Sequence, residues 1–199
     1  MSDRGEVQDL ASLMARGRVE LEYAINLVIA SCKALTDADL LGWFTPSRIL
    51  LSTSGEVTIG DADFRPEAIG YMAPEFSEAP VSQIRCREPH IREGNRFAES
   101  WTLTVPSAEF EIDRPRAAAF ALGCILWELL SGRRLFVGTT DYETLQLARG
   151  AQVPPLAGVS PELEAIVRRA LAKDVESRYQ TPLQFADALA AYLVARASN

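Results

Sequence analysis

The sequence predicts a predominantly α-helical domain with one small β-hairpin. The 199-residue chain is 48% hydrophobic and 24% charged, which is the ordinary composition of a folded domain. Apolar residues recur at helical spacing in several long segments, whereas only one pair of short β-rich runs is joined by turn residues, at 53–55. We therefore expect a single domain over residues 1–199, with an inserted segment at about 77–116.

Two helices are predicted ahead of the hairpin. Residues 7–14 carry apolar side chains at helical spacing, and Gly17 supplies a stop. Residues 20–35 carry a broad apolar face with almost no charge, so this second helix should be largely buried. The β-rich runs at 48–52 and 56–59 then form the hairpin, because Thr-Ser-Gly between them is typical of a tight turn.

The second half of the chain predicts a buried central helix followed by three amphipathic ones. Residues 117–130 are apolar on all sides and end at Gly132, which is typical of a helix in the middle of a domain. Before it, the alternation at 101–105 predicts one strand. The last three helices are predicted at 141–148, 161–172 and 182–195, with Asp141, Ser160 and Thr181 as N-caps.

Charge and cysteine content restrict the class of protein. The net charge of −7 would repel phosphate backbones and anionic lipid, which argues against nucleic-acid binding. Three cysteines without paired spacing are typical of a reducing compartment. The N-terminus lacks the pattern of a signal peptide, and the longest apolar run is too short to span a bilayer comfortably. We therefore expect a cytoplasmic protein with no membrane span.

Five local sequences, in order, resemble the C-terminal lobe of bacterial-type serine/threonine protein kinases. TPSRILL at 45–51 resembles the catalytic loop, and VTIGDAD at 57–63 resembles the strand that leads into the metal-binding DFG motif. GYMAPE at 70–75, LGCILWELLSG at 122–132 and LAKDVESRY at 171–179 resemble the end of the activation segment, the central helix and the segment before the last helix. The resemblance implies an isolated kinase-like C-lobe, truncated so that the N-terminal lobe is missing.

The catalytic positions of the family are replaced in this chain. Trp43 stands where the family has its catalytic aspartate, and an indole cannot accept a proton from a substrate hydroxyl. Thr45 replaces the catalytic-loop lysine. Arg48 replaces the metal-binding asparagine and puts a cation where magnesium needs an oxygen ligand. Asp61 is the one DFG residue that remains, either as a residual metal ligand or as a turn aspartate that Arg48 neutralises.

These replacements predict a pseudokinase: a catalytically inactive protein-binding module that acts as an adaptor, scaffold or regulator in signalling. We expect no catalytic residues, no cofactor, no metal and no ATP binding, and the partner to be another protein or a second copy of the chain. Two alternatives remain. One is an enzyme that uses a remnant nucleotide pocket for a non-kinase transfer, and the other is a structural subunit of a larger complex.

Two pairings of charged side chains follow from the resemblance. Glu75 and Arg178 correspond to the buried ion pair that, in this family, ties the activation segment to the late helices. We also expect Arg48 to lie within salt-bridge distance of Asp61 or Asp63, because the hairpin brings the two segments together.

A candidate partner surface follows from the same comparison. In a kinase, the N-terminal lobe covers the upper surface of the C-lobe, and here several large apolar side chains are expected on that surface. The insertion is expected to contribute further apolar side chains along one strand. Core packing of Trp43 and Phe44, or an insertion that folds back as a lid, would be the alternatives. The candidate residues are Trp43, Phe44, Ile49, Leu51, Trp101, Leu103 and Val105.

Overall fold

The computed structural model describes residues 7–36, 44–60, 66–77, 81–85, 102–106 and 113–198. The helices are α1 (Leu10–Met14), α2 (Leu21–Ala34), α3 (Arg114–Ser131), α4 (Asp141–Gly150), α5 (Pro161–Ala170) and α6 (Pro182–Ala197). The strands are β1 (Gln8–Asp9), β2 (Ile49–Leu51), β3 (Val57–Ile59), β4 (Val81–Arg85) and β5 (Thr102–Pro106). Short 3₁₀ helices occur at Pro46–Arg48, Pro66–Tyr71, Pro74–Ser77 and Val175–Ser177. The predicted fold class, predominantly α with a small β-hairpin, is confirmed.

The hairpin is part of a three-stranded antiparallel sheet in the order β1-β2-β3. Ile49 pairs with Ile59 across the predicted hairpin, and Gln8 of β1 pairs with Leu51 on the other side of β2. The sequence predicted helix from residue 7, which is wrong for the first residues. The carboxylate of Asp9 accepts a hydrogen bond from the backbone N–H of Ser12, so α1 begins only at Leu10.

A second sheet joins β4 and β5 in antiparallel register, with Ile84 opposite Leu103. The sequence predicted the second of these strands but not the first. Val81 and Ile84 lie three residues apart in β4, so the segment lacks the alternation that indicates a strand. β4 forms because it pairs with β5, about twenty residues further along the chain, although its own sequence does not indicate a strand.

The core is built around α3, as the sequence predicts. All residues from 117 to 130 are buried, and Gly132 ends the helix in the left-handed conformation at φ 72°. Helices α2, α5 and α6 pack around it. Ser160 and Thr181 are N-caps as predicted, but the N-cap of α4 is Thr140, not Asp141, because its hydroxyl accepts a hydrogen bond from the Glu143 N–H.

Two cysteines serve the core as small apolar side chains. Cys32 and Cys124 are free and buried, and burial raises the pKa of the Cys32 thiol to about 12. Burial also raises the pKa of Cys124 well above its ordinary value. In the part of the chain that the structure describes, no helix is long and apolar enough to cross a membrane.

Gly123 allows α5 to approach α3 closely. A Cβ atom at this position would lie 2.9 Å from the Cβ of Ala170 and 3.2 Å from the side chain of Leu171. We expect Gly123→Val to lower the free energy of unfolding by roughly 3 kcal/mol, because the added methyl groups overlap atoms already in place. Gly150→Val is the matched control, since nothing lies within 4 Å of that position. Equal urea midpoints for the two variants would contradict the prediction.

Candidate functional site

A chain of hydroxyl groups fixes the segment that resembles the catalytic loop. Thr45 is fully buried, and its Oγ1 lies 2.9 Å from the Oγ of Ser47. Ser47 donates in turn to the Oε1 of Glu67 at 3.2 Å, so its own oxygen accepts from Thr45. The backbone N–H of Arg48 donates to the carbonyl of Thr45 at 3.1 Å and closes the 3₁₀ helix. The loop is thereby bound to the 3₁₀ helix Pro66–Tyr71.

Arg48 lies inside the protein at the base of the hairpin, with only 4% of its surface exposed. Its Nε donates to the carbonyl of Gly60 at 3.1 Å, and its guanidinium carbon lies 5.8 Å from the centre of the Phe44 ring. The backbone of the same two residues pairs as well, since the Gly60 N–H donates to the Arg48 carbonyl at 2.7 Å. The predicted partners Asp61 and Asp63 lie outside the described residues.

The predicted partner surface is wrong at two of its residues. Phe44 is 7% exposed and Ile49 is fully buried, so neither offers an apolar surface to a partner. The reason is local: β1 pairs with β2 and α1 packs against it, which covers the face expected to be open. Core packing, the alternative for Phe44, is what the structure has. Leu51 is half-buried.

The other residues of that surface stay predictions. Trp43 and Trp101 lie outside the described residues. Leu103 and Val105 lie on β5, where the structure describes the backbone pairing but not the side chains.

Glu75 and Arg178 form an ion pair across the molecule, as the resemblance implies. The two guanidinium Nη atoms donate to the two carboxylate oxygens, each at 2.8 Å. The Arg178 side chain is 0% exposed and that of Glu75 is 13% exposed. Further donations reach the carbonyls of Ala172 at 2.6 Å and Lys173 at 3.1 Å, and the guanidinium lies over the Phe120 ring. The pair ties the 3₁₀ helix Pro74–Ser77 to the segment before α6.

Sequence reasoning missed a second buried acid, Glu128. Its Oε2 accepts the Tyr71 hydroxyl at 2.7 Å, and its Oε1 accepts the Arg134 Nε at 3.1 Å and the Leu135 N–H at 2.9 Å. Burial raises the pKa of Glu128, against the lowering effect of Arg134. The signal in the sequence was a single carboxylate inside the otherwise apolar run 117–130. Such an acid needs partners when its helix is buried.

No group of three His, Cys, Asp or Glu side chains that could hold a metal ion occurs among the described residues. Asp61, the one acid that the resemblance associates with a metal, is outside them.

The arrangement defines the class of protein. A helix pair, a hairpin, an irregular segment ending in Ala-Pro-Glu and a central buried helix follow one another, and an arginine before the last helix binds the glutamate of that motif. This is the architecture of a kinase-like C-terminal lobe.

Curated relatives agree with this class. The chain is 26% identical over 173 residues to serine/threonine-protein kinase PknB of Mycobacterium leprae, covering 83% of this chain and 25% of that kinase. It is 25% identical over 195 residues to PknA of Mycobacterium tuberculosis, covering 95% of this chain and 41% of PknA. A shorter match of 83 residues to PknB of Mycolicibacterium smegmatis is 40% identical and covers 40% of this chain and 13% of that kinase.

The chain is thus a kinase-like relative of the bacterial serine/threonine kinases. It spans between about an eighth and two fifths of the length of these relatives. No family model matches it.

Proposed function

We propose that the chain is a catalytically inactive, kinase-like protein-binding module that acts as an adaptor, scaffold or regulator. The observation that carries the proposal is the buried guanidinium of Arg48, at the position where the kinase resemblance expects a magnesium ligand. Arginine stays protonated at every relevant pH, and its side chain has no acceptor atom. A divalent cation needs oxygen ligands and would be repelled by this group.

The neighbouring loop position supports the same function. The family uses a lysine there to contact the transferred phosphate, and phosphoryl transfer depends on positioning and charge neutralisation. In this chain, Thr45 occupies the position, is fully buried and directs its hydroxyl to Ser47. A neutral side chain committed to an internal hydrogen bond supplies no charge to a phosphate.

The features that hold the lobe together are present. The ion pair between Glu75 and Arg178 holds the segment 70–75, which resembles the end of the kinase activation segment. Tyr71 of the same segment donates a hydrogen bond to Glu128 of α3. A protein that needs its shape for recognition, without transferring phosphate, would keep these two stabilising contacts. The proposal therefore assigns the function to the surface of the lobe.

Nucleotide binding is the direct test. We expect the melting temperature to be unchanged by millimolar ATP with magnesium, because a ligand that binds the folded state would raise it according to its concentration over its Kd. Binding at 100 times the Kd would add about 2.7 kcal/mol, which a thermal shift resolves easily. Incubation with radiolabelled ATP and a serine/threonine peptide should transfer no label above a buffer blank.

A matched pair of variants would identify specific binding of ATP with magnesium, the result opposite to the one expected. A reproducible stabilisation that is lost in Asp61→Asn but kept in Asp141→Asn would show that a nucleotide-metal complex binds at the expected place. That outcome would replace the binding module with an enzyme that uses the remnant pocket.

A further inference from the structure

We propose that the outer edge of β5 pairs with the same strand of a second copy of the chain, which makes a symmetric dimer. The inference rests on the proposed binding function, to which it gives a partner and a place. Thr104 lies at the centre of β5, and a two-fold antiparallel pairing sets it opposite Thr104 of the second copy. The strands β4 and β5 of the two copies then form one four-stranded antiparallel sheet.

The strands β4 and β5 form a two-stranded ribbon that is a sheet by itself. They pair in antiparallel register along their whole length, and no other described strand pairs with the outer edge of either. A two-stranded sheet alone is marginally stable in water, whereas a sheet of three or more strands with an apolar face is stable. The ribbon therefore needs further strands, and a second copy supplies two of them.

Composition selects β5 as the edge that pairs. Its sequence, Thr-Leu-Thr-Val-Pro, has no charged residue and is rich in β-branched ones. Proteins protect exposed edge strands with charged side chains, which oppose pairing with another chain. β4 carries such a charge at Arg85, so its edge ends the sheet after two copies. Pro106 lies at the end of β5, where its missing N–H does not interrupt pairing at the centre.

The register of the ribbon fixes how the two copies align. Ile84 pairs with Leu103, and Val105 lies two residues further along β5, so these three residues share one face of the ribbon. Pairing about Thr104 sets Leu103 opposite Val105 of the second copy. The apolar faces of the two ribbons then continue into each other. A shift by one residue would place the apolar face of one ribbon beside the polar face of the other.

Charge selects the antiparallel orientation. One end of the ribbon has only acidic residues within five positions of its strands: Glu78, Glu109 and Glu111. At the other end, two arginines balance two acids: Arg85, Arg87, Glu88 and Glu99. A parallel pairing would bring two acidic ends together, whereas the antiparallel pairing sets each acidic end beside a balanced one. Residues 77–116 hold six Arg against seven Asp and Glu, so the net charge of −7 opposes self-association less here than elsewhere.

Sedimentation velocity of the full chain measures the dimer. We expect the parent chain to show a monomer–dimer equilibrium that depends on concentration. Thr104→Lys should weaken the dimer about tenfold, because the two-fold axis sets two ammonium groups opposite each other. Gln83→Lys is the matched control: it makes the same charge change at the residue that pairs with Thr104 inside the ribbon, and it should leave the dimer unchanged. Circular dichroism melts check that the variants are folded.

A mixture of two variants tests the pairing of Thr104 with itself. Thr104→Glu should also weaken the dimer about tenfold, because two carboxylates then repel each other. An equimolar mixture of Thr104→Lys and Thr104→Glu should dimerise as tightly as the parent, since each pair now joins opposite charges. This restoration requires that the partner offers the same position of the same chain.

Three results would overturn the inference. A parent chain that stays monomeric at every concentration would exclude the second copy. Equal dimerisation of Thr104→Lys and Gln83→Lys would place the contact elsewhere, and a mixture as weak as its two components would exclude antiparallel pairing about Thr104. None of these depends on nucleotide, so the binding-module proposal is tested separately, by the ATP experiment.

Discussion

Replacing Arg178 with alanine is expected to lower the free energy of unfolding by roughly 4 kcal/mol. The guanidinium is fully buried and donates to Glu75 twice and to the carbonyls of Ala172 and Lys173. Its removal leaves a carboxylate that is 13% exposed without its counter-ion, two carbonyls without a donor, and a void beside Phe120. Urea unfolding followed by circular dichroism measures the loss.

The matched control is Arg168→Ala, which removes an arginine from an exposed ion pair. Arg168 and Glu164 are 2.8 Å apart on α5, but their side chains are 47% and 26% exposed. An exposed helical pair of this kind contributes only about 0.5 kcal/mol. If the two alanine variants unfold at the same urea concentration, the buried pair does not have the role assigned to it here.

A double-mutant cycle separates the pair from its surroundings. Glu75→Ala leaves the fully buried guanidinium of Arg178 without its counter-ion. We therefore expect it to lower the free energy of unfolding by as much as Arg178→Ala does. The variant with both changes should cost much less than the sum of the two, because the second removal takes away the stranded charge. Additive costs would show that the two side chains stabilise the fold independently.

The sequence predicted correctly those elements that are indicated by their own residues alone. The run 117–130 is apolar on every side, and a helix of that kind has no stable place except the interior. Ser160 and Thr181 precede prolines, and a hydroxyl followed by proline is a strong start signal for a helix. Glu75 and Arg178 are 103 residues apart, so only the kinase resemblance could join them.

Local pattern failed where a distant segment decided the outcome. Ile49 was expected at a surface because the lobe that normally covers a kinase C-lobe was expected to be missing, yet β1 and α1 from the start of the chain cover it. β4 was missed because its partner lies beyond an intervening segment. Backbone pairing with a distant strand can stabilise a segment whose own apolar and polar residues do not alternate. Nothing in the five residues of β4 indicates that such a pairing exists.

Glu128→Ala is the second large expected effect, a loss of about 3 kcal/mol in the free energy of unfolding. The substitution leaves the buried hydroxyl of Tyr71 and the N–H of Leu135 without an acceptor. Arg134 loses its partner at smaller cost, since its side chain is 37% exposed. Glu164→Ala, on an exposed helix surface, should cost less than 1 kcal/mol and serves as the control for removing a carboxylate. Urea unfolding at neutral pH distinguishes them.

The pH dependence of the same network gives a sharper test. Burial raises the pKa of Glu128 above its ordinary value of 4.5, so over the range just above 4.5 the folded state binds more protons than the unfolded state. The part of the stability that arises from this difference in pKa is therefore fully present below 4.5 and is lost as the pH rises through the pKa of the folded state, while the hydrogen bonds from Tyr71 and Leu135 remain. Glu128→Gln keeps the size of the side chain but cannot titrate. We expect the unfolding free energy of the parent minus that of the variant to fall as the pH is raised from about 4 to about 7. A difference that grows over this range would mean that the attraction of Arg134 outweighs burial, and that the pKa of Glu128 is lowered.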